Sequence, residues 1–355
     1  MIEPGQTIGI LGGGQLGRMT TLAALALGYR CHVYCPIPDS PAKLATHFAT
    51  TASYENKLAL GRFAKAVDVI TFEFENVPAD TAEFLAERKP VRPGPHALRI
   101  AQDRLKEKNF LRSIGVATAP YRAVTSAEEL RNAVDAIGPR GILKTVRFGY
   151  DGKGQVPIRA GANLAATWLS FGDADGILEG FVEFACEISV IVARGEDGKW
   201  ATYAAVENQH VHGILDTTIA PARVSADVAM RAEAIARHIA EKLDLIGLLA
   251  VEMFVTHRGD VLVNEIAPRP HNSGHWTIDA CYTSQFEQLV RAICGLPLGS
   301  PAHHSDAVMK NLIGADIAKW REASNNPLQK IHLYGKDVAA PGRKMGHVTT
   351  LIPRG

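Results

Sequence analysis

From residue 6 to residue 100, short apolar runs alternate with helical stretches, among them TIGIL, MTTLAALALGY, CHVYC, KLALGRFAKA and VDVITFEF. Strands separated by helices pair side by side as a parallel sheet with right-handed crossovers, which removes most other folds. The first strand runs into GGGQLG, a GxGxxG pattern through Gly12, Gly14 and Gly17. Glycines between a strand and a helix let backbone N–H groups close on a phosphate or another anion. A dinucleotide site also needs an acid closing the second strand to hold a ribose. Here that strand closes on Cys35 and Pro36, and Asp39 follows only beyond Pro38. An NAD-dependent oxidoreductase is therefore disfavoured, which leaves a different anionic ligand or a tight turn.

At 355 residues the chain exceeds one ordinary core, so two or three domains are expected. Lys plus Arg (38) nearly balances Asp plus Glu (37), which argues against a nucleic-acid or membrane-surface partner. Cys31, Cys35, Cys186, Cys281 and Cys294 form no CxxC pair, so neither a disulfide framework nor a zinc site is supported. No apolar run approaches the ~20 residues of a membrane span, and no signal segment opens the chain. A cytoplasmic protein is expected.

KPVRPGPHA reads as a connector, and LRIAQDRLKEKNFLRSIG as one helix leading into a small region of short strands and turns. An α+β region follows, with a helix at DVAMRAEAIARHIAEKLDL. The expected domains are 1–102, 103–185 and 186–355. In the small region, GILKTVRFGYDGKGQV places Lys144 at the end of a strand. The rest is either a hairpin turning at Asp151-Gly152 or a flap whose amides and Lys153 cover polyphosphate. Glu179 closes another strand before GFV, a hinge whose backbone suits an adenine edge. Glu187 then serves either as a ribose ligand or as a solvated acid.

The stretch VEMFVTHRGDVLVNEIAPRP, residues 251 to 270, reads as a β-hairpin turning at Arg258-Gly259. Symmetric pairing sets Val255 against Leu262 and Glu252 against Glu265. Like charges directly opposite on one face destabilise a sheet, and apolar flanks raise the cost. Just beyond, PRPHNSGHW crowds Arg269, His271, Asn272, Ser273 and His275 into a polar loop of active-site character. Glu73 ends the third strand, where α/β sheets bind ligands; the plain alternative is that Glu73 and Glu75 cap a loop. GRKMGH sets Arg343 and Lys344 beside a glycine, which suits a phosphate monoester as well as solvated surface.

In order, the strand lysine, glycine flap, EGFV, downstream Glu and carboxylate hairpin resemble the ATP-grasp superfamily, in which ATP lies between two α+β domains. GGGQLGRM, TFEFENV, GYDGKGQ, NEIAPRPHNSGHWT, NLIG, HLYGK and PGRKMGHV together resemble the N5-carboxyaminoimidazole ribonucleotide synthetases of purine biosynthesis, from Gly9 to Val348. The resemblance implies a mixed α/β and α+β architecture. An N-terminal Rossmann-like domain would be followed by a small lid domain and a C-terminal domain with the metal hairpin and acceptor-phosphate site.

It also implies residue roles. Arg104, Lys144 and Lys153 would contact ATP, with Gly149, Tyr150, Asp151, Gly152, Lys153, Gly154 and Gln155 closing as a lid. Glu179, Gly180, Phe181 and Val182 would hold adenine, Glu187 the ribose, with His210 and Asn264 nearby. Glu252 and Glu265 would bind Mg2+, which resolves their repulsion, since Mg2+ accepts one or two carboxylates plus phosphates. Gln15, Leu16, Glu73, Tyr150, Asp151, Asn272, Ser273 and His275 would meet the aminoimidazole ribonucleotide, and Arg343 and Lys344 its 5′-phosphate. Arg269 would stabilise bicarbonate, with His275 or Asp151 as general base. The implied reaction is that of an ATP-dependent carbon–nitrogen ligase working through carboxyphosphate, in a homodimer. The rivals are a formate-using glycinamide ribonucleotide transformylase and a non-catalytic nucleotide-binding module; the two hairpin acids argue against the latter.

Overall fold

Four strands build the first sheet: β1 (Thr7–Leu11), β2 (Arg30–Tyr34), β3 (Phe48–Thr50) and β4 (Val69–Phe72). They pair in parallel in the order β3-β2-β1-β4. Ile8, Ile10, Leu11, Val69, Ile70 and Phe72 are fully buried, as parallel strands covered on both faces require. The computed structural model describes residues 1–149, 154–172 and 174–354. Tyr150, Asp151, Gly152 and Lys153 lie outside the described residues.

Helix α1 (Gln15–Ala26) starts directly after the glycines, not at Met19 as the sequence reading had it. The Glu73 carboxylate accepts hydrogen bonds from the Gly14 and Gly17 amides, which satisfies two of the free donors at the start of the helix. Helices α2 (Lys57–Lys65), α3 (Ala79–Ala86), α4 (Pro95–Ala101) and α5 (Arg104–Ser113) follow. The single helix expected across the last two is broken. Asp103 is extended, and its carboxylate accepts from Leu105 N at 3.1 Å and Lys106 N at 3.0 Å. An aspartate that can cap a new helix competes with continuing the old one.

The second sheet holds β5 (Tyr121–Val124), β6 (Gly141–Thr145), β7 (Gln155–Ile158) and β8 (Gly176–Gly180), antiparallel in the order β5-β8-β6-β7. The expectation of strands and turns missed two helices here, α6 (Ala127–Ile137) and α7 (Leu164–Phe171). Leu130 and Trp168 of these helices pack with Leu143 and Leu178 of the sheet.

The third sheet contains β9 (Phe184–Arg194), β10 (Trp200–Thr202), β11 (Val206–Val211), β12 (Ile214–Ala220), β13 (Gly247–Thr256), β14 (Val261–Ala267), β15 (Ser305–Ile313), β16 (Gln329–Leu333) and β17 (Lys344–Pro353). Its order is β14-β13-β9-β11-β12-β15-β17-β16, with β10 on β9, and every pairing is antiparallel. Helix α8 (Ala226–Lys242) packs on β9 and β13. After α9 (Thr277–Ala280), helix α10 (Gln285–Cys294) contacts α1 and β4 as well as β9 and β13. Its Leu289, Val290 and Ile293 share one buried cluster with Ile8 of the first sheet and Leu248 of the third. We propose the domain division 1–102, 103–185 and 186–355; each span carries one sheet, the third beginning at Phe184. Among the described residues no helix is long and apolar enough to cross a membrane.

The hairpin of β13 and β14 is not symmetric. Val255 pairs with Val261, not Leu262, yet Glu252 does pair with Glu265. The register shifts between Met253↔Val263 and Glu252↔Glu265, so Asn264 is the extra residue of a β-bulge. Without it, Glu252 would face Asn264 and Glu265 would turn to the other face.

Replacing Asp103 by Ala removes the cap that starts α5. The expected cost is about 1 kcal/mol of stability, read as a lowered urea midpoint at unchanged m-value.

Candidate active site

β14 is an edge strand of the third sheet, and its Glu265 stands opposite Glu252 of β13, which in turn pairs with Ser189 of β9. One step along, Phe254 pairs with Glu187 on the same face. Glu187, Glu252, Phe254 and Glu265 line a cavity of about 340 Å³ that Arg104, Lys144, Gly149, Gln155, His210, Asn264, Arg269, Asn272 and Lys344 also border. Burial and the neighbouring Glu265 push the Glu252 carboxyl up to about 7. Arg104 answers Glu265 with Nη1 3.3 Å from Oε2, while its Nη2 donates to the Gly149 carbonyl at 3.2 Å.

His271 answers Glu252, with Nε2 3.3 Å from Oε1. Burial, then Arg269 and Lys344, push this imidazole down to about 3, so it is neutral. Its Nδ1 accepts from the Ser273 amide at 3.4 Å and lies 2.8 Å from the Ser273 hydroxyl. Nε2 therefore carries the proton and faces Glu252 at ion-pair distance, without the alignment of a hydrogen bond. A buried chain stands behind it: Thr218 donates to Asn208, Asn208 to Ser189 and Ser189 to Ser273, at 3.0, 2.9 and 2.7 Å. Ser273 thus sits in this chain, fully buried, and does not border the cavity.

Toward the second sheet, Glu179 Oε2 holds Lys144 Nζ at 2.9 Å and Lys108 Nζ at 3.6 Å. Burial alone would raise this carboxyl, and the two lysines overcome it and hold it below its ordinary value. Among the described residues Glu179 Oε1 has no hydrogen-bond partner, although it is buried. Glu179, Gly180, Phe181 and Val182 do not border the cavity, and Phe181 is exposed beneath Arg140. His210 Nδ1 is 3.0 Å from Glu187 Oε2, close enough for an ion pair but poorly aligned for a hydrogen bond. Burial pulls this imidazole down, but Glu187 outweighs it and the net shift is upward. Phe184 and Phe254 stack at 4.8 Å on the cavity wall.

Arg269 is ion-paired with Glu75, whose carboxyl it holds at about 2 against the opposing effect of burial. Glu73 occupies the glycine loop, with Oε1 2.7 Å from Gly14 N and Oε2 3.2 Å from Gly17 N. Gly12 sits at φ +111°, and a Cβ there would lie 2.6 Å from the Glu73 side chain. The anion in the loop is thus the chain's own carboxylate, which corrects the reading of the loop as a ligand's anion site. Gln15 is partly buried at the start of α1, and Leu16 packs with Met19, Phe286 and Tyr334.

His275 is fully buried and does not border the cavity. It stacks on His347 at 4.7 Å and contacts Gln285, and burial drives its pKa well below the ordinary value. Arg343 is exposed and donates to the Val338 carbonyl, whereas Lys344 borders the cavity. Gly154 lies just before β7, its carbonyl accepting from Thr145 N at 2.9 Å. Sequence reasoning assigned no role to Glu107, Lys108 or Arg147, and placed His271 in the active-site loop without a role of its own. The two histidines and Ser273 of one loop look alike in sequence, and only packing separates the one at the cavity from those behind it.

The two opposed carboxylates form an all-oxygen donor pair, suited to a hard cation that also binds phosphate. Among the described residues no group of three or more His, Cys, Asp or Glu is arranged to hold a metal by itself.

Residues 5–102 match the ribonucleotide synthetase preATP-grasp domain, 109–286 the ATP-grasp domain, and 307–354 the phosphoribosylaminoimidazole carboxylase C-terminal domain. The chain is 48% identical to the N5-carboxyaminoimidazole ribonucleotide synthase of Brucella melitensis biotype 1, over 99% of this chain and 98% of that protein. It is 44% identical to the Bacillus subtilis synthase of the same name, over 98% and 92%. Its fold is similar to the ADP complex of an N5-carboxyaminoimidazole ribonucleotide synthetase (TM-score 0.96, 43% identity, 99% and 93% covered). It is also similar to the Aspergillus clavatus synthase with ADP and 5-aminoimidazole ribonucleotide (TM-score 0.93, 32% identity, 98% and 94% covered).

The raised Glu252 carboxyl makes a pH prediction for the protein in divalent-free buffer. Its ordinary value is 4.5 and its folded value about 7, so its contribution to stability is full below pH 4.5 and is lost as pH rises through about 7. Glu252→Gln, neutral at every pH, should therefore gain stability over wild type at pH 8, with the gain shrinking toward pH 4.5. Denaturant titrations at the two pH values check this; parallel pH profiles for both proteins count against it.

Proposed function

The chain belongs to the N5-carboxyaminoimidazole ribonucleotide synthase family, and from that we infer that it joins bicarbonate to 5-aminoimidazole ribonucleotide using ATP. The products are N5-carboxyaminoimidazole ribonucleotide, ADP and phosphate, and the enzyme is a carbon–nitrogen ligase of purine biosynthesis. The relatives crystallised with ADP, and with ADP plus 5-aminoimidazole ribonucleotide, support these ligands. The carrying observation is one cavity bordered by Arg104 and Lys144, by the opposed acids Glu252 and Glu265, and by Arg269 and Lys344.

Bicarbonate is a poor electrophile, and phosphorylation activates it. A bicarbonate oxygen attacks the γ-phosphorus, the bond to the β-phosphate oxygen breaks, and ADP leaves. The amine then attacks the carboxyl carbon of carboxyphosphate, expelling phosphate and losing a proton. The chain's part is positioning and charge neutralisation. Lys144 and Arg104 would meet the ATP phosphates, Arg269 the bicarbonate, and Lys344 the ribonucleotide phosphate. Glu252 and Glu265 would hold Mg2+, which supplies further neutralisation at the phosphates when bound. His271 would keep Glu252 oriented. Of the two general-base candidates, the burial of His275 favours Asp151. A cytoplasmic homodimer without nucleic-acid or membrane partners fits the same reading.

Two outcomes test it. Phosphate release should require 5-aminoimidazole ribonucleotide and rise with bicarbonate, with formate inert; formate-dependent turnover of glycinamide ribonucleotide would favour the transformylase instead. Lys344→Ala should remove a charge-assisted contact worth about 1.5–3 kcal/mol, roughly a ten- to hundredfold rise in KM for the ribonucleotide. Arg343→Ala should cost less, because Arg343 is exposed and engaged with Val338. ATP affinity should hardly move in either variant, and an equal loss of ATP binding would exclude a role at the acceptor phosphate.

A further inference from the structure

Glu107 and Lys108 are consecutive residues of α5, and both are almost completely buried, at 2% and 0% exposure. Ionisable side chains are rarely buried so fully unless specific partners hold them. Both reach main-chain groups of β14. Lys108 Nζ donates to the Asn264 carbonyl at 2.7 Å, and Glu107 Oε1 accepts from the Ile266 amide at 2.7 Å. Asn264 and Ile266 are the two neighbours of Glu265. From the same helix, Arg104 touches the Glu265 carboxylate itself.

The targets explain the need. β14 is the edge strand, so its outer main-chain groups have no further strand to pair with. Asn264 is the bulge residue, unpaired against β13. The bulge is also what sets Glu265 opposite Glu252, and a bulge left unsupported on an edge is free to slip its register. Alongside, Val263 N donates to the Ala117 carbonyl at 2.9 Å, so the segment after α5 holds the strand on the other side of the bulge.

We propose that Glu107 and Lys108 are positioning residues. They grip the main chain on both sides of Glu265, hold the Asn264 bulge in place, and so keep the two carboxylates opposed for a divalent cation. This rests on the reading of Glu252 and Glu265 as the Mg2+ pair. Partners that orient metal ligands from behind typically account for about 10–100-fold in metal affinity.

The test is Mn2+ titrated into the full chain with ADP present, followed by the electron paramagnetic resonance signal of the free ion. Glu107→Met keeps the length of the side chain and removes the acceptor. It should bind Mn2+ about tenfold or more weakly, while binding metal-free ADP like wild type. Glu107→Gln keeps an acceptor and should stay close to wild type. A side chain that only filled the core would leave metal affinity unchanged in a folded protein. Wild-type binding with Glu107→Met unchanged, or Glu107→Gln as weak as Glu107→Met, overturns the clamp alone. Absence of Mn2+ binding by wild type overturns the metal reading and the clamp together. Should Glu107→Met not fold, Lys108→Met tests the other grip, with the same loss expected.

Discussion

Two carboxylates face each other across neighbouring strands, and most of the site can be understood as what makes that arrangement tolerable. Apposed acids in a buried setting repel, and burial together with the facing Glu265 raises the Glu252 carboxyl. Each acid has its own partner. Arg104 from α5 reaches Glu265, and the Nε2 of a neutral His271 faces Glu252. These partners do not remove the conflict, because each contacts only one of the two acids. A site with residual repulsion is well suited to a dication that arrives with ATP.

A second line of compensated charge joins the first sheet to the loop after β14. Glu73 is satisfied by the amides of the glycine loop and Glu75 by Arg269. Arg269 and the carboxylate hairpin are thus linked to residues at the end of β4, where a parallel sheet presents its ligand edge. The buried cluster through α10 ties the same two sheets together from behind. The geometry at the cavity therefore depends on elements far apart in the chain.

Much of this was legible beforehand, for reasons that particular residues make plain. The parallel sheet followed from TIGIL, CHVYC and VDVITFEF, because strand and helix periods are local. The acid pair at 252 and 265 was legible from the hairpin's alternation, although the assumed symmetry was wrong by one residue near the turn and Asn264 restored it. The break at Asp103 and the start of α1 at Gln15 were missed because capping depends on which donors a side chain meets, and for α1 the acceptor lies in another strand. Glu107 and Lys108 sit in RLKEKNFL, a stretch with the composition of a solvated helix. Nothing in its pattern announces that both would be buried against β14.

What the sequence determined by itself is the set of elements and the chemical types available to them: a glycine turn, a strand lysine, two hairpin acids and a cationic C-terminal loop. Periodicity and turn chemistry are properties of adjacent residues, so they survive in one dimension. Only the tertiary structure decided which polar groups satisfy one another: Glu73 in place of a ligand's anion, His271 rather than His275 at the cavity, and α5 gripping the chain around Glu265. Each is a choice between chemically equivalent candidates. It is made by desolvation and hydrogen-bond geometry, which exist only once distant segments have packed.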